Sequence, residues 1–184
     1  MNAIPVNTWL DNINLEEQHK GLCKTYALRF AQETLGWKEP VTFRWATKEE
    51  NKQGMDAFIS REGKSTLAID FKVRREGTTK YWHQGPDIAV EYEQASTSGW
   101  AGDNDHNPRT VILFIFLDNI KPNTKFSNYA AVAISLASCK ALVAEKDIAG
   151  FRIKAASNGH GFSKNIIVPL SYIDSKNYRA IKAA

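Results

Sequence analysis

An acid and a lysine set inside an otherwise apolar run constrain this chain most. Residues 67–73 read LAIDFKV, a run apolar enough to be a strand covered on both faces. Asp70 and Lys72 placed there need partners or a metal, because a buried ion without compensation is costly. From Gly54 to Val73 two apolar runs are joined by the polar turn Arg61-Glu62-Gly63-Lys64, the pattern of a β-hairpin with a short Gly-containing loop. Alternation sends Leu67, Ile69, Phe71 and Val73 to one face and Asp70 and Lys72 together to the other. Asp56, near the start of the partner strand, approaches them across the pair. Two carboxylates and an ammonium on one sheet surface are suited to holding a hard divalent cation and orienting a water. The same residues also fit the solvated face of an ordinary hairpin; the apolar run around Asp70 favours the first reading.

This arrangement resembles the PD-(D/E)xK nuclease superfamily, which includes many restriction enzymes, Holliday-junction resolvases and phage or repair nucleases. Asp56 matches the first acid and Asp70-Phe71-Lys72 the (D/E)xK element, while Met55 stands where the family has its proline. The resemblance implies an α/β fold, a central mixed β-sheet flanked by helices. It also implies an Mg²⁺-dependent endonuclease acting on DNA, with Mn²⁺ as a substitute. Asp56 and Asp70 would be metal ligands, and Lys72 would orient a water or stabilise charge developing on phosphorus. The superfamily often carries an acid on its first helix that reaches the metal site; Glu16 is the candidate here, with Glu33 behind it.

A second register exists within the same superfamily. Asp70 would then be the first acid and Glu91-Tyr92-Glu93 the second element, in the variant where an acid replaces the lysine. The following SGWAG and apolar strand resemble an arrangement found in phage-encoded members. This register leaves Lys72 without a role and needs a long crossing loop; Glu91 as an additional metal ligand partly reconciles the two. From another functional class, a catalytically silent nuclease-fold protein that binds DNA or a host defence complex is the alternative.

The remaining elements follow from periodicity. Asn14 is a candidate N-cap for a helix running to Leu35 and ended by Gly36. Its apolar stripe is Leu15, Leu22, Cys23, Tyr26, Ala27 and Phe30. Glu16, His19 and Glu33 fall on or beside that stripe, and Glu17 points away. Residues 41–45 (VTFRW) predict a strand, followed by the polar stretch ATKEENKQG. In residues 87–94 (DIAVEYEQ), Ile88, Val90 and Tyr92 share one face and Glu91 and Glu93 the other. TVILFIFL, residues 110–117, is fully apolar and reads as a central strand. Strands at 55–60, 66–73, 87–93 and 110–117 are expected to form one sheet. YAAVAIS (129–135) adds a further strand, LASCKALVAEK a helix, and FRIKAAS and NIIVPLSYI return to the sheet edge.

At 184 residues, with no internal repeat or linker, one domain is expected. No apolar run reaches the roughly eighteen residues of a membrane helix. The opening MNAIPVNTW lacks a basic segment followed by an apolar one, so no secretion signal is expected and the protein is read as cytoplasmic. Cys23 and Cys139 form no metal-ligand cluster and read as buried thiols in a reducing compartment. The four histidines are scattered without zinc spacing, and Gly159-His160-Gly161 lacks the pattern of a P-loop. Formal charge is +4 overall, and Phe151–Ala184 holds six cations against one acid. With the basic group Lys72, Arg74, Arg75 and Lys80 beside the acids, this predicts attraction of phosphates. Arg74, Arg75, Lys80 and Lys164 are the expected nucleic-acid contacts. Cutting both strands together demands a dimer or two visits, so a homodimer stays open.

Overall fold

A computed structural model describes residues 15–38, 40–62, 66–74, 87–94, 97–98, 101, 110–120, 130–147, 149, 151–158 and 161–175. The expected N-cap Asn14 and the cations Arg75 and Lys80 lie outside the described residues. The fold is α/β, with a central mixed sheet flanked by helices. That sheet has five strands: β1 (Val41–Trp45), β2 (Ala57–Arg61), β3 (Thr66–Arg74), β6 (Thr110–Phe116) and β7 (Ala131–Ser135), in the order β1-β2-β3-β6-β7. The β3–β6 pair is parallel and the others are antiparallel. Every residue of β6 is buried, as its unbroken apolar run demands of a strand with both faces covered.

One face is covered by α1 (Lys20–Arg29), preceded by helical residues 15–18 and continued by a π-helical turn, Phe30–Thr34. Cys23, Tyr26, Ala27 and Phe30 pack here against Ile59, Ile69, Phe71, Leu113 and Ile115. Gly36, at φ 66°, ends the segment in the left-handed region that glycine adopts without penalty.

The opposite face differs from the single-sheet expectation. β4 (Asp87–Gln94) does not join the central sheet. It forms a second, antiparallel sheet with β5 (Thr97–Ser98), β9 (Gly161–Pro169) and β8 (Arg152–Asn158), ordered β5-β4-β9-β8. Ile88 and Val90 of β4 and Ile166 and Val168 of β9 pack on Ile112, Phe114, Phe116, Val132 and Ile134. Helices α3 (Leu136–Ala144) and α4 (Leu170–Ser175) close this second core through Leu136, Cys139, Leu142, Leu170 and Ile173. The closing segments therefore build the second layer instead of an edge of the first. Alternation fixes which side of a strand is apolar, and it is silent on which sheet that side faces.

The polar stretch before the hairpin holds one further element, the single turn α2 (Lys48–Asn51). Thr47 caps it by accepting from the Glu50 N–H, while the Glu50 carboxylate accepts from the Thr47 N–H, a reciprocal capping box. Among the described residues no helix is long and apolar enough to cross a membrane.

Candidate active site

In β3 the expected division of faces is observed. Ile69, Phe71 and Val73 enter the α1-side core, and Asp70 and Lys72 point to the other side. The parallel neighbours of Asp70, Lys72 and Arg74 on β6 are Ile112, Phe114 and Phe116. Asp70 is thereby 5% exposed, one of three buried polar or charged residues among those described. Lys72 Nζ donates to Asp70 Oδ1 at 2.7 Å.

The register of the hairpin brings in the second acid. Ala57 pairs with Ile69, so Asp56, immediately before β2, stands opposite Asp70. Both Asp56 oxygens accept hydrogen bonds of 2.7 Å, Oδ1 from Asn51 Nδ2 and Oδ2 from the Phe71 N–H. Directly opposite positions on an antiparallel pair have Cβ atoms about 4.5–5.5 Å apart, so the two carboxylates are neighbours on one sheet face. Burial is the main force raising the Asp70 pKa well above its ordinary 3.8; Lys72 opposes the rise and Asp56 adds to it. Burial also works against the Lys72 ammonium, but Asp70, Asp56 and Glu16 outweigh it and hold that pKa above 10.5.

Glu16 reaches the same place from the helix side. Burial pushes its pKa from 4.5 up to about 7, with Lys72 and Arg74 opposing and Asp56 reinforcing the shift. Glu33 instead pairs with Arg29 at 2.8 Å on the helix surface. The Arg74 guanidinium turns inward, 5.4 Å from the centre of the Phe114 ring, and donates to the Ala89 carbonyl at 3.5 Å. Burial lowers its pKa, against the pull of Glu16, Glu91 and Asp70. Glu91 thus joins the charge cluster from the second sheet. A β-bulge separates it from Glu93: Glu91 lies opposite Asn165 and Glu93 opposite Lys164, neighbours on β9. The two glutamates therefore do not share a face, and Glu93 pairs with Lys164 at 2.8 Å.

The structure thus brings together Asp56, Asp70 and Lys72 by register and hydrogen bond, while Glu16, Arg74 and Glu91 are linked to them or to each other through charge. It leaves Glu33, Glu93 and Lys164 in ion pairs of their own. Asn51, absent from the sequence reading, is part of the site through its bond to Asp56. Beside the acids the same sheet face continues onto β1 and β2, and among the described residues the second core does not extend over it. Thr42, Arg44, Phe58, Ser60 and Thr66 there line an open cavity of about 240 Å³. The Arg44 guanidinium lies 4.0 Å from the Phe58 ring centre.

Among the described residues no group of three or more His, Cys, Asp or Glu side chains is arranged to hold a metal ion. The donor chemistry of the pair nonetheless suits Mg²⁺. That ion prefers hard oxygens and commonly takes one or two carboxylates, filling its remaining positions with waters and substrate phosphate. Comparison with protein-family models, curated proteins and solved structures returns no match.

Proposed function

We propose that this chain is an Mg²⁺-dependent endonuclease of the PD-(D/E)xK type that hydrolyses DNA phosphodiesters. One observation carries the reading: two carboxylates, Asp56 and Asp70, stand opposite each other on one sheet face, with Asp70 buried and bonded to a lysine. Like charges so close are unfavourable unless a proton or a cation lies between them. Glu16 and Glu91 act on the neighbouring cations through charge, Glu16 on Lys72 and Arg74 and Glu91 on Arg74.

Asp56 and Asp70 would hold the cation through their oxygens. When bound, Mg²⁺ polarises a phosphoryl oxygen and lowers the pKa of a water it carries. Lys72 keeps its proton beside the carboxylates, so it acts by charge and not as a base. Its ammonium orients the attacking water or stabilises negative charge developing on the phosphate. The cavity on β1 and β2 would offer a nucleic-acid strand an approach from the Asp56 side.

The test is cleavage of labelled plasmid, linear duplex, single-stranded and four-way-junction DNA with Mg²⁺ or Mn²⁺. Asp70→Asn is expected to lower cutting on the order of 100-fold or more while the fold is retained. Loss with Glu91→Gln as well would bring Glu91 into the metal shell. Full activity of Asp70→Asn would sink the assignment. A folded protein that binds DNA and cuts none of these substrates would favour the binding-only alternative.

A further inference from the structure

The Asp56 carboxylate is held by a bracket of side chains that extends well beyond the acids. Asn51, the last residue of α2, donates its amide to Asp56 Oδ1 at 2.7 Å, and the Phe71 N–H fixes Oδ2 at the same distance. The turn that carries Asn51 is itself tied down. Arg44 on β1 forks onto Glu50, Nη1 to Oε2 at 2.8 Å and Nη2 to Oε1 at 2.7 Å. Glu50 also accepts from the Thr47 N–H at 2.8 Å, completing the capping box. The loop back to the strand is closed by Gly54 N–H to the Asn51 carbonyl and by Ala46 N–H to the Asp56 carbonyl, both 2.9 Å.

Little of this network serves stability. Arg44 is 53% exposed at its side chain, and exposed ion pairs contribute about 0–1 kcal/mol. A four-residue helix buries nothing. What the network does is fix one carboxylate: with Oδ1 held by Asn51 and Oδ2 by the Phe71 N–H, Asp56 is held against rotation.

We propose that Asn51 is a positioning residue that orients Asp56 as a cation ligand, with α2 and the Arg44–Glu50 pair as its support. This rests on the cation site proposed above. Residues that orient metal ligands typically change metal affinity or activity by about 10–100-fold when removed. Asn51 is exposed, so it can be replaced without opening the core.

The experiment titrates the full chain with Mn²⁺ alone, reading free Mn²⁺ by electron paramagnetic resonance, beside unfolding midpoints. Asn51→Leu, which keeps the branched four-atom side chain and removes the donor, is expected to raise the Mn²⁺ dissociation constant about 10–100-fold with its unfolding midpoint little changed. Thr47→Ala weakens the same turn without touching Asp56, and is expected to lose much less affinity. In DNA cleavage, Asn51→Leu should need correspondingly more Mn²⁺ for half-maximal rate and recover its rate at saturation. Unchanged affinity in Asn51→Leu, or equal loss in Thr47→Ala, would overturn the role of Asn51 alone. A wild-type chain that binds no Mn²⁺ would overturn the cation site and this proposal with it.

Discussion

Replacing Glu16 with Gln tests whether the acids of this site are charged at the expense of the fold. Burial lifts the Glu16 pKa from 4.5 to about 7. At about 1.4 kcal/mol per pH unit, the folded state then favours the protonated carboxyl by roughly 3 kcal/mol. Water reaching the half-buried group trims this to about 1–3 kcal/mol. A pKa raised by folding means that the folded state binds more protons between 4.5 and about 7. The group's contribution is therefore fully present below pH 4.5 and is lost as pH rises through about 7. Gln cannot ionise, so Glu16→Gln should exceed the wild type only slightly at pH 5 and much more at pH 8. At roughly 2–4 °C per kcal/mol for a chain of this size, the excess is about 2–12 °C in unfolding midpoint. The assay is thermal unfolding by circular dichroism at both pH values in a chelator. An equal difference at pH 5 and pH 8, or a Gln variant less stable at pH 8, would refute the reasoning. Added Mg²⁺ should narrow the gap at pH 8, because a cation at the acid pair relieves Glu16 as well.

Lys72→Met removes the cation bonded to Asp70 and leaves two facing carboxylates. It should cost about 3 kcal/mol at pH 8, read as a lower urea midpoint, and much less at low pH where Asp70 holds its proton; the same loss at every pH would count against the pair. Mg²⁺ binding near pH 7 should release protons, because Glu16 and Asp70 are protonated more readily than ordinary acids. Calorimetry in two buffers of different ionisation enthalpy reads this directly; identical heats would contradict it, and Glu16→Gln should reduce the release.

Much of the site was legible because its geometry is local. Asp70 and Lys72 are two residues apart on one strand, and their shared face follows from strand alternation alone. Asp56 came within reach because a short hairpin fixes its own register. Glu16 was legible through the 100° step of its helix, measured against the Cys23–Tyr26–Ala27–Phe30 stripe. The second sheet was not, since β4 and its partner β9 lie about seventy residues apart and pairing between them leaves no local pattern. The bulge at Tyr92 broke the expected Glu91–Glu93 face for the same reason: it belongs to the partner strand's register, not to the alternation of DIAVEYEQ. The turn α2 did carry a signal, Thr47 and Glu50 in capping-box spacing, within a stretch whose polarity suggested only a loop. Asn51 carried none, because a side-chain amide that meets a carboxylate across a turn has no fixed spacing.

The cluster runs against the interest of the fold, and that is the reason to read it as a site. Asp70 lies beside Ile112 on a strand whose other face is all core, where an apolar side chain would bury at no charge penalty. Replacing buried ion clusters with apolar residues is often neutral or stabilising. Here the chain keeps the acid, sets a second acid against it, and orders Arg44, Thr47, Glu50 and Asn51 around that second acid for little stability in return. Local rules broken together at one point, with partners converging from β2, β3, β4 and the first helix, mark function more than chance. The sign of the cluster narrows the function further. A surface that only gripped DNA would be cationic where phosphates touch it, whereas this point sets the acids Asp56 and Asp70 beside Lys72. On the proposed function, a divalent ion at Asp56 and Asp70 would supply the positive charge that phosphate needs there, which a passive DNA-binding surface does not require.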